Sequence, residues 1–244
     1  MHGWHLGPVQ SLVSLALNFC LDSGLWSPST DINANERRKL GLLALKAELF
    51  QFYKEKRKDP AWTSKGTEVW NLTMTMIGST DSPSLHAKAA ESHGLLLFVQ
   101  DLLARSIPKF QAQLKPDVAR KGKLLCESTK AAVEMENLFA TEARRMHRKA
   151  AERALLAYCR FLRFYHEAGG PLLPKHHWMF HLVQRTIFKG NPHKYTTYRD
   201  ESLNGEVATI ARSSHRRTWF NVVHWKCQGL HLKNHEMVLE RFKR

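Results

Sequence analysis

Residues 121–167 read KGKLLCESTKAAVEMENLFATEARRMHRKAAERALLAYCRFLRFYHE, and the fold turns on how this stretch is organised. Leu125, Val133, Met135, Leu138, Ala143, Met146, Ala150, Ala154, Tyr158, Phe161 and Tyr165 recur at spacings that follow one face of a helix. Gly169-Gly170-Pro171 then supplies a glycine for a left-handed cap and a proline that cannot continue the helix. The pattern predicts a single long helix over 121–167. Arg144, Arg145, Arg148, Lys149 and Arg153 cluster on its opposing surface. Such a cluster is either a solvated face or a face that contacts phosphates.

Further helices are predicted on both sides of this element. Pro8–Leu21 is apolar and ends at Ser23-Gly24, and Asn35–Lys58 carries Leu40, Leu43, Leu45, Leu49, Phe50 and Tyr53 near helical spacing. Pro60–Pro83 reads as a short helix and a long connection. Ser84 opens another helix, with Leu95, Phe98, Leu102 and Leu103 inward and a stop near Ser106-Ile107-Pro108. Pro174–Thr186, Asp200–Ala211 and Thr218–Leu230 follow, before a tail at 234–244. β-Branched alternation is nearly absent, so the chain is expected to be mainly α. The expected architecture is a helical bundle around the 121–167 helix, in one domain spanning 1–244. Residues 1–110 form its N-terminal helices and 121–244 its basic part.

At 244 residues, with 43% hydrophobic and 24% charged residues, the chain can bury a core and is not of disordered composition. Lys and Arg number 37 against 22 Asp and Glu, a formal charge of +15. The excess is uneven: residues 141–244 carry 20 basic and 8 acidic residues, residues 1–140 carry 17 and 14. A basic half suits a polyanion such as DNA, because cations that neutralise phosphates release condensed counterions. Lys175, Arg216 and Arg217 join the helix cluster as candidate phosphate contacts.

Cys20, Cys126, Cys159 and Cys227 are far apart and form no zinc spacing, so they read as buried free thiols of a reducing compartment. Leu12–Leu21 is short for a bilayer span, and no Lys or Arg precedes it. The expectation is a nuclear or cytoplasmic protein with no membrane partner.

Two segments carry candidate chemistry. In PKHHWMFH at 174–181, His177 and His181 lie one helical turn apart, a spacing that can chelate zinc. Trp178 stands where the HExxH motif has its glutamate, so the pair equally suits structural or partner-contact histidines. In TYRDES at 197–202, Asp200 and Glu201 precede a helical run and either cap it or supply carboxylates to a magnesium ion. Two-metal phosphoryl chemistry needs several more convergent oxygens. Lys88 and Glu91 are expected to pair at i, i+3 at a helix start. No phosphate loop, nucleophile elbow or dinucleotide fingerprint is present.

In order along the chain, these segments resemble those of RNase H-like transposases of the CACTA-type and related groups. Met1-His2-x-x-His5-Leu6-Gly7 resembles the family's D-x-M-H…L-G segment, and Leu85–His93 (LHAKAAESH) its K-A-x-E helix. Pro174-Lys175-x-His177-x-x-x-His181-Leu182 resembles its P-K-x-H-x-L-L-H segment. Gly190-Asn191-Pro192 with Tyr198-Arg199-Asp200-Glu201 resembles the region of its last catalytic acid. The resemblance implies that the family Asp lies ahead of Met1, that the sheet and first two acids are lacking, and that Glu201, with neighbouring Asp200, is the remnant third acid. Magnesium then enters only if the missing acids come from elsewhere.

The function this implies is that of a truncated, mobile-element-derived protein, catalytically incomplete, that contacts DNA through its basic half. One alternative is a helical module for protein–protein contact. Another is a metal-dependent hydrolase using His177, His181 and Glu201. Without the RNase H-like sheet, parts of Pro8–Leu21 are expected to stay exposed and to favour homo-oligomers.

Overall fold

From His2 to Asp22 the backbone is one helical run: a turn α1 (His2–Trp4), a π-helical turn (His5–Val9) and α2 (Gln10–Asp22). Pro8 lies inside the π turn, where a ring without an N–H disturbs regular α-helical bonding. The computed structural model describes residues 1–26, 32–62, 67–80, 83–113 and 115–195, with 209–210, 212–215, 217–219, 221–222, 224–225 and 228–229. Met1–Tyr195 forms one compact unit and Thr196–Arg244 a second. Among the described residues every regular element is helical and there is no strand, so the chain is mainly α.

Every residue from Ser11 to Leu21 is buried. A helix buried around its whole circumference, mostly by apolar side chains, lies inside a core. The expectation that parts of Pro8–Leu21 stay exposed is therefore corrected: neighbouring helices do the covering that a sheet was thought necessary for. The polar residues of α2 are satisfied in place. Ser14 Oγ donates to the Ile77 carbonyl at 2.5 Å, and Asn18 Nδ2 donates to the Ser14 carbonyl at 3.0 Å. Asn18 Oδ1 accepts from Arg38 at 2.5 Å.

Helix α3 (Ala34–Lys56) begins where the Asn33 side chain accepts the Glu36 N–H at 2.9 Å. Leu45, Leu49 and Tyr53 face the core, whereas Leu40, Leu43 and Phe50 are exposed. The six apolar positions thus form two stripes out of phase, and only one is buried. A short α4 (Met74–Ile77) is capped by Thr73. Helix α5 (Ala89–Ala112) opens with Glu91 accepting the Lys88 backbone N–H at 2.8 Å, a cap in place of the expected side-chain pair. It also runs through Pro108, where a stop was predicted. One further turn buries Phe110 against Gly122, at which a Cβ would stand 2.7 Å from the ring.

The predicted single helix over 121–167 is two helices, α6 (Pro116–Thr141) and α7 (Arg148–Glu167). They fold back as an antiparallel hairpin, in which Ser128 Oγ donates to the Phe161 carbonyl at 3.2 Å and Arg160 pairs with Glu134. The turn is held from far along the chain. Buried Asn191 donates its side-chain amide to the carbonyls of Phe139 (2.8 Å) and Glu142 (2.9 Å), and its backbone N–H to that of Arg144 (2.8 Å). These bonds satisfy carbonyls that a helix end leaves without partners. Ala143, placed on the predicted stripe, is exposed in the turn, while Met146 is buried.

The far end of α7 is as predicted. Gly169 takes φ +90°, its N–H bonds the His166 carbonyl and the Gly170 N–H bonds that of Tyr165, both at 2.9 Å. Helices α8 (Pro174–Gln184) and α9 (Thr186–Lys189) and a 3-10 turn (Pro192–Tyr195) follow. Cys20 and Cys126 are buried free thiols, but Cys159 is exposed, which corrects the expectation for that residue, and Cys227 lies outside the described residues. No helix among the described residues is long and apolar enough to cross a membrane.

Candidate functional site

The hairpin turn presents the basic cluster. Arg144 and Arg145 sit in the turn, Arg148 and Lys149 in the first turn of α7, and all four are exposed. Asn191 fastens this turn to the segment carrying Lys189 and Lys194, which are also exposed. Arg148 pairs with Glu152 at 2.8 Å, an exposed contact worth at most about 1 kcal/mol. Arg153 instead lines a shallow depression of mixed charge with Lys130 and Glu134.

Lys175 is exposed near the start of α8. Its Nζ donates to the Leu6 carbonyl at 3.0 Å, and its stem lies against Gly7, where a Cβ would stand 2.8 Å away. Arg217 is exposed in the second unit. Arg216, Asp200 and Glu201 lie outside the described residues, as does most of the predicted 200–211 helix.

His177 and His181 do share a face of α8. Their Nε2 atoms are 3.1 Å apart, and the rings meet edge to face at 4.5 Å. His177 is exposed and His181 half-buried, and among the described residues no third His, Cys, Asp or Glu joins them. A pair of this kind chelates weakly by itself, since zinc sites draw on three or four protein ligands.

A cluster that sequence reasoning missed lies inside the first unit. Glu136 of α6 is only 6% exposed and its carboxylate meets three donors. Oε1 accepts from Trp4 Nε1 at 2.6 Å and lies 2.9 Å from His5 Nε2, while Oε2 lies 2.7 Å from His93 Nδ1. The π turn supplies His5, α5 supplies His93, and the two rings stand 5.4 Å apart.

Burial alone would raise the Glu136 carboxyl, but the bonds to His5 and His93 prevail and hold it at about 2. Burial likewise opposes charge on His93, and the bond to Glu136 overcomes it and raises that imidazole. The arrangement can hold a carboxylate against protonated imidazole, or offer two nitrogens and one oxygen to a cation. One signal in the sequence pointed here: Glu136 occupies the buried face of α6 between Ala132, Val133 and Phe139, where the helical period calls for an apolar residue.

A contrasting histidine, His176, packs beside two aromatic rings that also meet each other, 5.2 Å from Tyr165 and 6.2 Å from Phe161. Its Nδ1 accepts the Leu173 N–H at 3.0 Å, and burial lowers its basicity. No family model matches the chain, and no curated protein or solved structure is found to be similar to it.

Proposed function

We propose that this chain is a helical, mobile-element-derived protein that binds the phosphate backbone of duplex DNA through the rim around the α6–α7 turn. The observation that carries this reading is the seam at Asn191, which gathers Arg144, Arg145, Arg148 and Lys149 with Lys189 and Lys194. Cations that contact phosphates gain affinity by releasing counterions, and such contacts position a duplex without reading its sequence. The same half of the chain holds most of the excess charge, 20 basic against 8 acidic residues over 141–244. Asp200 and Glu201 are too few carboxylates for two-metal phosphoryl transfer, so the reading assigns no strand cleavage. Magnesium has a role only if further acids come from another chain.

The test is fluorescence anisotropy of a labelled duplex across 50–200 mM salt. Six phosphate contacts predict a slope of about −5 in log K against log salt, and an affinity about a thousandfold weaker at the upper end. Absence of binding at low salt would overturn the proposal. So would magnesium-dependent nicking that disappears in Glu201→Gln.

A second reading, a module for protein contact, is favoured by one observation. Trp178 is 75% and Phe188 86% exposed on α8 and α9, with Leu172, Leu173 and Leu182 also exposed nearby. It predicts salt-resistant self-association that Trp178→Ser with Phe188→Ser abolishes in sedimentation velocity. A wild-type monomer at high protein concentration would count against self-association.

A further inference from the structure

We infer that His5 Nε2, His93 Nδ1 and a Glu136 carboxylate oxygen are the protein ligands of a divalent transition-metal site of the zinc class. This goes beyond the DNA-binding reading and does not depend on it. The three donor atoms lie within 4.8 Å of one another and come from three separate segments, so their convergence is a product of the tertiary fold. Two imidazoles and one carboxylate are the donor chemistry of zinc and its first-row neighbours. Magnesium and calcium prefer all-oxygen sets and fit poorly.

Three protein ligands leave a coordination position for water, the pattern of reactive rather than purely structural zinc sites. Access exists on one side: the His93 side chain is 35% exposed, whereas those of His5 and Glu136 are buried.

The surroundings match as well. Trp4 Nε1 donates to Glu136 Oε1 at 2.6 Å, the kind of outer-sphere bond that orients a ligating carboxylate. His5 opens a π-helical turn, a local widening that recurs at functional sites and here turns Trp4 and His5 toward one carboxylate.

A hydrogen-bonded triad without an ion is the competing account, since both imidazole nitrogens already lie 2.7–2.9 Å from Glu136. Zinc would replace the shared protons. With bonds of about 2.0–2.2 Å, its ligand atoms would stand about 3.3 Å apart in a tetrahedral shell. The imidazoles contact different oxygens of Glu136, at 2.9 and 2.7 Å, and the three donors fall within 4.8 Å, so binding draws both rings toward one carboxylate oxygen.

The experiment titrates the full chain, first stripped with a chelator, with zinc chloride against a chromophoric competitor. Cobalt(II) serves as the spectroscopic probe. The expected result is one zinc per chain and an intense four- or five-coordinate cobalt spectrum. Affinity should fall at least tenfold in His93→Ala and in Glu136→Gln, and remain unchanged in His177→Ala with His181→Ala. Circular dichroism of the stripped variants shows whether each is folded. If one is not, nitrogen NMR of histidine-labelled wild type decides, with His5 and His93 responding to the first equivalent. No zinc uptake, uptake unchanged in folded His93→Ala, or uptake taken first by His177 and His181 would overturn the proposal.

Discussion

The cationic rim and the Glu136 cluster are built on opposite physical terms. The rim is exposed, and its net charge follows from how many Lys and Arg its segments hold. The cluster is buried and relational: Trp4, His5, His93 and Glu136 have meaning only together, and 131 positions separate His5 from Glu136. The difference teaches where sensitivity should lie. Removing one cation from the rim should weaken binding in small, salt-dependent steps. Removing the buried Glu136 carboxylate should cost stability in one large step.

The largest expected effect follows from that asymmetry. Glu136→Leu leaves the Trp4 N–H and two imidazoles without their acceptor, and removal of one member of a buried ionic set typically costs about 3–5 kcal/mol. Urea denaturation should register that loss. Neutralising four rim cations should change stability by less than about 1 kcal/mol. Equal effects of the two changes would dissolve the comparison.

Asn191→Ala tests whether rim and fold are separable. It strands the carbonyls of Phe139 and Glu142 at the end of α6, for a cost of about 1–3 kcal/mol. Because it also loosens the turn that displays Arg144 and Arg145, affinity for duplex DNA should drop severalfold although no charge is removed. Unchanged affinity in a folded variant would mean that the cations act without being positioned.

Acidity sharpens the contrast further. Glu136 is lowered from 4.5 to about 2, so its contribution is present above pH 4.5 and is lost as pH falls toward 2. His93 is raised above 6.5, so its contribution is present below that value and is lost as pH rises through its folded pKa. In protein stripped of metal, the stability difference between wild type and Glu136→Gln should therefore be greatest between about pH 4.5 and 6.5 and narrow on either side. His176, whose pKa is lowered by burial, favours the unfolded chain below 6.5, but it does so equally in both proteins and cancels. A flat difference across this range would contradict the electrostatic account of the cluster.

The smallest effect is expected at the histidines that sequence spacing makes most visible. His177→Ala with His181→Ala should shift stability by no more than about 0.5 kcal/mol, since neither is buried and their contacts are with each other, Gln184 and the Phe180 ring of the same helix. A loss of several kcal/mol would show that this pair is built into the core.

Much of the architecture is local and therefore legible. The glycine cap after α7, the apolar run of α2 and the scarcity of strand patterns all depend on neighbours within a few residues. The break between α6 and α7 was not legible, because the residue that closes it, Asn191, lies about fifty positions away. The continuation of α5 through Pro108 escaped for a similar reason: the local penalty of a proline is outweighed by burial of Phe110 beside Gly122. In α3, spacing alone did not separate the buried stripe of Leu45, Leu49 and Tyr53 from the exposed Leu40, Leu43 and Phe50.

The candidate chemistry follows the same division. His177 and His181 were found because i, i+4 is a local relation, and the rim because charge is additive. The Glu136 cluster was missed because it joins three segments, although an acid on the apolar face of α6 was its one sequence trace.

The most direct test of the account is the salt dependence of duplex affinity in wild type and in R144Q/R145Q/R148Q/K149Q. If these four side chains contact phosphates, the slope of log K against log salt should become shallower by about 3.6 while the helical content stays the same. A slope unchanged by the four substitutions, or no binding by the wild type at low salt, would contradict the claim that this rim is the nucleic-acid surface.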